Sequence, residues 1–204
     1  MAAIQVDPLI LTPTPEGWLD AVFDDFDAFL RDHASCEKKA SGMALNIAAH
    51  YPDRPDLVSA MADLAVEELG HYREVIRLLI ERGTAPGPDR KDAYVRALNE
   101  QIRNGTDVYL LDRLLVAAIV DRRGNERFGL VAQRLSRKPS GVPAADRLAA
   151  FYRAITASED RHWQVFLKLA DVHCRGSDIQ ARLAELVRLE SGVMCAQPFH
   201  PALH

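Results

Sequence analysis

Apolar residues recur at three- and four-residue steps along almost the whole chain, and no stretch shows the two-residue alternation of a strand. After "TPTPEGW", with Thr14 as a cap and Pro15 at the first helical position, a helical pattern begins. It runs, with a break near Asp24, to about His50, where "YPDRP" interrupts it. A second long helix is predicted from about Asp56 to Arg82, stopped by Gly83 and "TAPGP". The shorter "DAYVRALNEQIR" leads to Asn104-Gly105, and a third long helix follows from near Thr106 to about Ser136. "RKPSGVP" reads as a loop, the fourth long helix covers about Ala144 to His173, and Gly176-Ser177 caps a last one, "DIQARLAELVRLESGVM".

Four helices of roughly 25–30 residues each are far above the usual ~11–12, and long helices with short connections pack as bundles. The expected fold class is all-α, a four-helix bundle with additional short helices. It is expected to form a single domain over 1–204, with the core bundle at about 18–173 and a C-terminal helix at about 177–196.

The apolar stripes carry the chemistry. On the second long helix the inward series is Leu57, Met61, Leu64, Glu68, His71, Val75, Leu78. On the fourth it is Leu148, Tyr152, Ile155, Glu159, His162, Phe166, Leu169, a second Glu-x-x-His in the same setting. The first helix gives Phe26, Leu30, His33, Glu37, Ala40, Ala44, Ile47, with one central carboxylate. On the third, Val108, Leu111, Leu115 and Ile119 run into the polar "DRRGNER", where Glu126 is the candidate, brought into line by an extra residue in the turn.

An ionised carboxylate in low dielectric needs a partner. Four carboxylates and two imidazoles at one depth would repel unless cations neutralised them, and two divalent metals do so. A Glu from each of two helices plus Glu-x-x-His from each of the other two is the di-iron or di-manganese pattern. A single Glu-x-x-His is common on helix surfaces. Two of them, each about 30 residues after an inward Glu (31 from Glu37 to Glu68, 33 from Glu126 to Glu159), also read as a duplicated helical hairpin. Off the stripes, Glu67 and Glu74 are assigned to solvent, His33 and Tyr152 to the core, His173, His200 and His204 to the surface, and Cys36 to a small core thiol.

Composition narrows the setting. The chain has 204 residues, 48% hydrophobic and 26% charged, enough to bury a sizeable core. No apolar run approaches the ~18 residues of a membrane span. The N-terminus lacks the basic-then-apolar order of a signal peptide. Three cysteines without a CxxC suit reduced thiols in a cytoplasmic protein. Net charge is −4, yet Arg90 to Lys138 holds 11 Lys/Arg against 6 Asp/Glu, a local +5. That excess fits an anionic partner or a solvated arginine-rich face.

With those residues in place, "CEKKASGMALNIAAHYPDRPDLVSAMADLAVEELGHYREV" and "SEDRHWQVFLKLA" resemble the tRNA-(2-methylthio-N6-isopentenyladenosine) hydroxylase family, MiaE, from about Trp18 to the last helix. The resemblance implies a ferritin-like, non-haem di-iron monooxygenase of the cytoplasm. It implies Glu37, Glu68, His71, Glu126, Glu159 and His162 as ligands of two irons, with O2 as co-substrate. The substrate implied is intact tRNA, hydroxylated on the isopentenyl group of the hypermodified adenosine next to the anticodon. Electrons would come from a separate reductase and carrier, because the chain has neither a nucleotide-binding glycine motif nor an iron–sulfur cysteine set. A tRNA enzyme needs cations for phosphates. Arg122, Arg123, Arg127, Arg134, Arg137 and Lys138 are the candidates, rimming the mouth of the iron site.

Two other readings stand beside this one. A ferritin-like oxidase, rubrerythrin-type peroxidase or manganese catalase would use the same metal pattern, since carboxylate and imidazole accept iron and manganese alike. A metal-free or iron-storing helical protein would use only the fold. No feature of the sequence assigns an oligomeric state.

Overall fold

A computed structural model describes residues 9–106, 108–137, 141–174 and 178–204. Among them seven helices and no strand occur: α1 (Glu16–Asp24), α2 (Phe26–His50), α3 (Pro55–Glu81), α4 (Ala93–Asn99), α5 (Tyr109–Ser136), α6 (Ala145–His173) and α7 (Ile179–Ala196). The chain divides into two compact units, Gly17–Lys91 with Phe199–Leu203, and Met1–Glu16 with Asp92–Pro198 and His204. Among the described residues no helix is long and apolar enough to cross a membrane.

The first unit is the hairpin of α2 and α3. The break near Asp24 is a cap: the Asp25 carboxylate accepts the Ala28 N–H at 2.9 Å and starts α2 afresh. α3 begins with Pro55, whose missing N–H costs nothing in a first turn. It ends before Gly83, which takes φ +69°, a conformation costly for residues with a Cβ. Phe29, Leu30, Ile47, Leu57, Met61 and Leu79 are fully buried. Beyond the core, Asp27 joins the helix ends, accepting Arg82 Nε at 2.6 Å and Thr84 Oγ1 at 2.8 Å. The 199–203 segment is fastened by the Trp18 indole N–H to Ala202 O (2.9 Å) and by the Leu203 N–H to Asp32 Oδ2 (2.7 Å). Phe199 lies so close to Gly17 that a Cβ there would meet its ring at 2.6 Å.

The second unit carries the hairpin of α5 and α6 with α4 and α7. Leu111, Leu114, Leu115, Ile119, Phe128, Tyr152 and Phe166 are buried, and the Phe128 and Tyr152 rings pack at 5.7 Å. α4 and α7 are each capped by an aspartate, Asp92 accepting Val95 N–H and Asp178 accepting Ala181 N–H. The buried Asp112 ties the α4–α5 connection to α7, accepting Arg103 and Arg182 at 2.7–3.0 Å. The Gly176-Ser177 cap expected for α7 lies outside the described residues. The hydroxyl of Thr14, expected to cap the first helix, is instead given to Glu126.

Candidate metal centre

In the α2–α3 hairpin the predicted residues meet. Glu37 and Glu68 are buried, 4% and 2% exposed, and His71 is half-buried. His71 Nδ1 stands 3.3 Å from Glu68 Oε2 and 3.6 Å from Glu37 Oε2, so two carboxylates and one imidazole converge. The i, i+3 spacing along α3 aligns Glu68 with His71, and the apolar neighbours Leu64 and Val75 turn both inward. On α2, the fully buried His33 donates from Nε2 to Glu37 Oε1 at 2.6 Å, which fixes the Glu37 carboxylate and leaves Oε2 toward His71. The inward stripe of α2 passes through Ser41 rather than Ala40: Ser41 is buried and Ala40 half-buried.

The α5–α6 hairpin repeats the arrangement with one change. Glu159 and His162 are buried on α6, Oε2 and Nδ1 lying 3.3 Å apart. The α5 carboxylate placed with them is Asp121, and ligand atoms of Asp121, Glu159 and His162 lie within 4.8 Å of one another. Glu126 is not there. Its carboxylate accepts the Thr14 N–H at 2.9 Å and the Thr14 hydroxyl at 2.8 Å, and it pairs with Arg123. The reason is geometric: α5 is a regular α-helix from Tyr109 to Ser136, with no extra residue in a turn. Five residues on such a helix turn the side chain by about 140°, so Asp121 and Glu126 cannot share a face.

The signal for Asp121 was in the stripe through smaller residues. Stepping Leu111, Leu114, Ala118 leads to Asp121, Asn125 and Phe128, whereas stepping Leu111, Leu115, Ile119 leads past it.

Polar "DRRGNER" is largely interior, which removes three of the expected phosphate-binding arginines. Arg123 is 0% exposed and bonds Glu190 Oε1 at 2.8 and 2.9 Å and Thr12 O at 2.8 Å. Arg127 is buried as well. Burial, with the like charge of Arg123 second, pushes its guanidinium down to about 10. Arg122 is half-buried, bonded to Leu9 O and Asn125 Oδ1 and set 5.9 Å over the Trp163 ring. Guanidinium groups so engaged do not reach a phosphate. Arg134 is half-buried and Arg137 exposed; Lys138 lies outside the described residues.

The remaining assignments divide. Tyr152 and His33 are core residues, Glu67 is exposed, and His200 is exposed. Cys36 is half-buried, and its thiol lies 3.8 Å from Asp32 Oδ2. His204, expected at the surface, has a side chain only 4% exposed: its ring stacks on Tyr94 at 5.0 Å and Nδ1 lies 3.0 Å from Asp92 Oδ2.

Two carboxylates and an imidazole on each hairpin form a hard oxygen–nitrogen donor set suited to iron or manganese. Asp121 and Glu159, and likewise Glu37 and Glu68, bring like charges together in a poorly hydrated interior. That costs free energy unless a cation intervenes. The residues present therefore fit a metal.

The family model for tRNA-(MS2IO6A)-hydroxylase (MiaE) matches residues 2–204. The chain belongs to the MiaE family. It is 36% identical over 184 residues to a tRNA 2-(methylsulfanyl)-N(6)-isopentenyladenosine(37) hydroxylase of Pseudomonas putida, covering 90% of this chain and 85% of that protein. It is 23% identical to the Salmonella typhimurium protein of the same name, over 89% of this chain and 82% of that one. Among solved structures it is similar to a Synechococcus protein with aldehyde deformylating oxygenase activity, with TM-score 0.85 and 31% identity over 95% of this chain and 92% of that one. The fold class is accordingly all-α, as the helical periodicity predicted, and ferritin-like, as the family resemblance implied, and this MiaE chain is a hydroxylase, an oxidoreductase.

Proposed function

We propose that this MiaE chain hydroxylates the isopentenyl group of 2-methylthio-N6-isopentenyladenosine next to the anticodon of tRNA, using a di-iron site and O2. The observation that carries the reading is a carboxylate–carboxylate–histidine triad on each hairpin of a chain matched to this family over 2–204. The proposed ligands are Glu37, Glu68 and His71 from one hairpin and Asp121, Glu159 and His162 from the other. Together they offer four carboxylates, the charge that two divalent ions neutralise.

When bound, the iron pair would supply O2 activation strong enough to oxidise a C–H bond of the isopentenyl group. Net, one oxygen atom of O2 enters that bond and the other leaves as water, with two electrons and two protons supplied. The electrons come from a separate reductase and carrier. The chain's own part is to hold the donors: His33 clamps Glu37, and the buried stripes of α3 and α6 keep each Glu-x-x-His pair facing inward. Of the six candidate cations, Arg134, Arg137 and Lys138 are proposed to meet tRNA phosphates. The target base is presented from a single-stranded loop, the usual form in which sequence is read in RNA. Such a substrate places the enzyme in the cytoplasm.

Two measurements test this. Metal analysis after anaerobic reconstitution is expected to find two irons per chain; less than one iron or manganese per chain removes the metal-enzyme reading. O2-dependent consumption of the modified tRNA, with no turnover of hydrogen peroxide, is expected; the reverse pattern would make the protein a peroxidase or catalase.

A further inference from the structure

The two hairpins share a second repeated feature, one turn away from the proposed ligands. Ser41, buried on α2, donates from Oγ to the backbone carbonyl of Ala65 on α3 at 2.8 Å. Asn125, buried on α5, donates from Nδ2 to the backbone carbonyl of Thr156 on α6 at 2.6 Å. Ser41 stands four residues after Glu37 and Ala65 three before Glu68; Asn125 stands four after Asp121 and Thr156 three before Glu159. The same offsets connect a buried polar side-chain donor, a hydroxyl in one hairpin and an amide in the other, to a backbone carbonyl.

Such a bond does something that apolar packing does not. A stripe of alanines and leucines tolerates sliding of one helix along the other. A slip of one residue, about 1.5 Å along the axis and 100° around it, breaks a single buried side-chain-to-carbonyl bond outright. A buried donor left without its acceptor carries the full cost of its lost hydration, so the bond selects one register. In that register Glu37 is level with Glu68 and His71, and Asp121 with Glu159 and His162. On α5 the Asn125 amide is itself oriented: Oδ1 accepts Arg122 Nη1 at 2.7 Å, and the Arg122 guanidinium is held over Trp163, the neighbour of His162.

We propose that Ser41 and Asn125 are paired positioning residues, each fixing the axial register of its hairpin so that the carboxylates and histidine meet at one metal-binding level. The inference rests on the metal reading above. It also accounts for a polar Asn in the middle of the α5 stripe, and for Ser41 taking the inward place in α2.

The test is cobalt(II) titration of the full chain, read by the visible d–d absorption of the bound ion and by the number of ions retained after desalting. Ser41→Ala and Asn125→Ala are each expected to weaken cobalt binding about tenfold, as loss of a residue that orients ligands does, and to shift the d–d bands. Ser41→Thr, which keeps the hydroxyl, and Thr156→Val, which keeps the carbonyl, are expected to bind as the wild type does. If Asn125→Ala does not fold, Asn125→Leu carries the same expectation, since it keeps much of the shape and loses the donor. Cobalt affinity and spectrum unchanged in the Ser41 and Asn125 variants, with only the melting temperature lowered, would overturn the positioning role. A wild-type chain that takes up no cobalt or iron would instead overturn the metal reading, and the positioning role with it.

Discussion

Glu126 accepts both the backbone N–H and the hydroxyl of Thr14, at 2.9 and 2.8 Å, and so serves as an anchor for the segment that precedes α1. Glu126→Ala is therefore expected to cost about 1–3 kcal/mol, the usual range for unpairing partly buried donors, while the metal content stays that of the wild type. Asp121→Ala is expected to do the opposite, lowering bound metal with little loss of stability. Urea unfolding and metal analysis of the two variants decide it: metal lost from Glu126→Ala and kept by Asp121→Ala would reverse the assignment.

Why Glu126 misled and Glu68 did not is a matter of what surrounds each. Glu68, His71, Glu159 and His162 sit in stripes of large apolar residues, so their inward direction is written in the periodicity. The α2 stripe is nearly as plain, the one slip being Ala40 for Ser41, two small residues that differ little as markers of a face. On α5 the face turns on Ala117 and Ala118, which mark no direction, and the polar run after them is itself buried. A buried arginine and a solvated one are the same letter. Only the partners of Arg123 and Arg127, from the 9–16 segment and α7, make the difference, and those contacts lie far apart in sequence. His204 hid for the same reason. The α1–α2 break, by contrast, was legible because capping is local.

Arg123 and Glu190 are both 0% exposed and bonded to each other, with the Tyr94 hydroxyl donating to the same Glu190 oxygen at 2.9 Å. Removing one partner strands the other charge. Glu190→Ala is expected to destabilise by about 3–5 kcal/mol and Tyr94→Phe by about 1 kcal/mol, read from denaturant midpoints at constant m-value. A Glu190→Ala loss below that of Tyr94→Phe would contradict the pairing.

Burial alone would raise the Asp112 carboxyl, but hydrogen bonds from Arg103 and Arg182 outweigh it and hold the carboxyl below its ordinary value. A depressed folded value means that its stabilisation is full above about pH 4, the unfolded range, and is lost as pH falls through the folded value. The stability gap between wild type and Asp112→Asn is thus expected to be constant from about pH 5 to 7 and to narrow below about pH 4. A gap that widens on acidification would refute the sign.

Replacing Arg134, Arg137 and Lys138 together by glutamine is expected to weaken tRNA binding and to flatten its dependence on salt, because each lost phosphate contact removes released counterions. The matched change at Arg123 is expected to act through folding, lowering stability rather than the salt slope. Unchanged binding and slope in the triple variant would end the RNA role of the α5–α6 connection.

The most direct measurement is mass spectrometry of tRNA nucleosides after incubation of modified tRNA with the iron-loaded chain, a reductant and isotopically heavy O2. One heavy oxygen on the isopentenyl group of the hypermodified adenosine, absent with Asp121→Ala or Glu159→Ala, is the predicted result. An unaltered nucleoside from fully iron-loaded protein, or an oxygen drawn from water, would contradict the account.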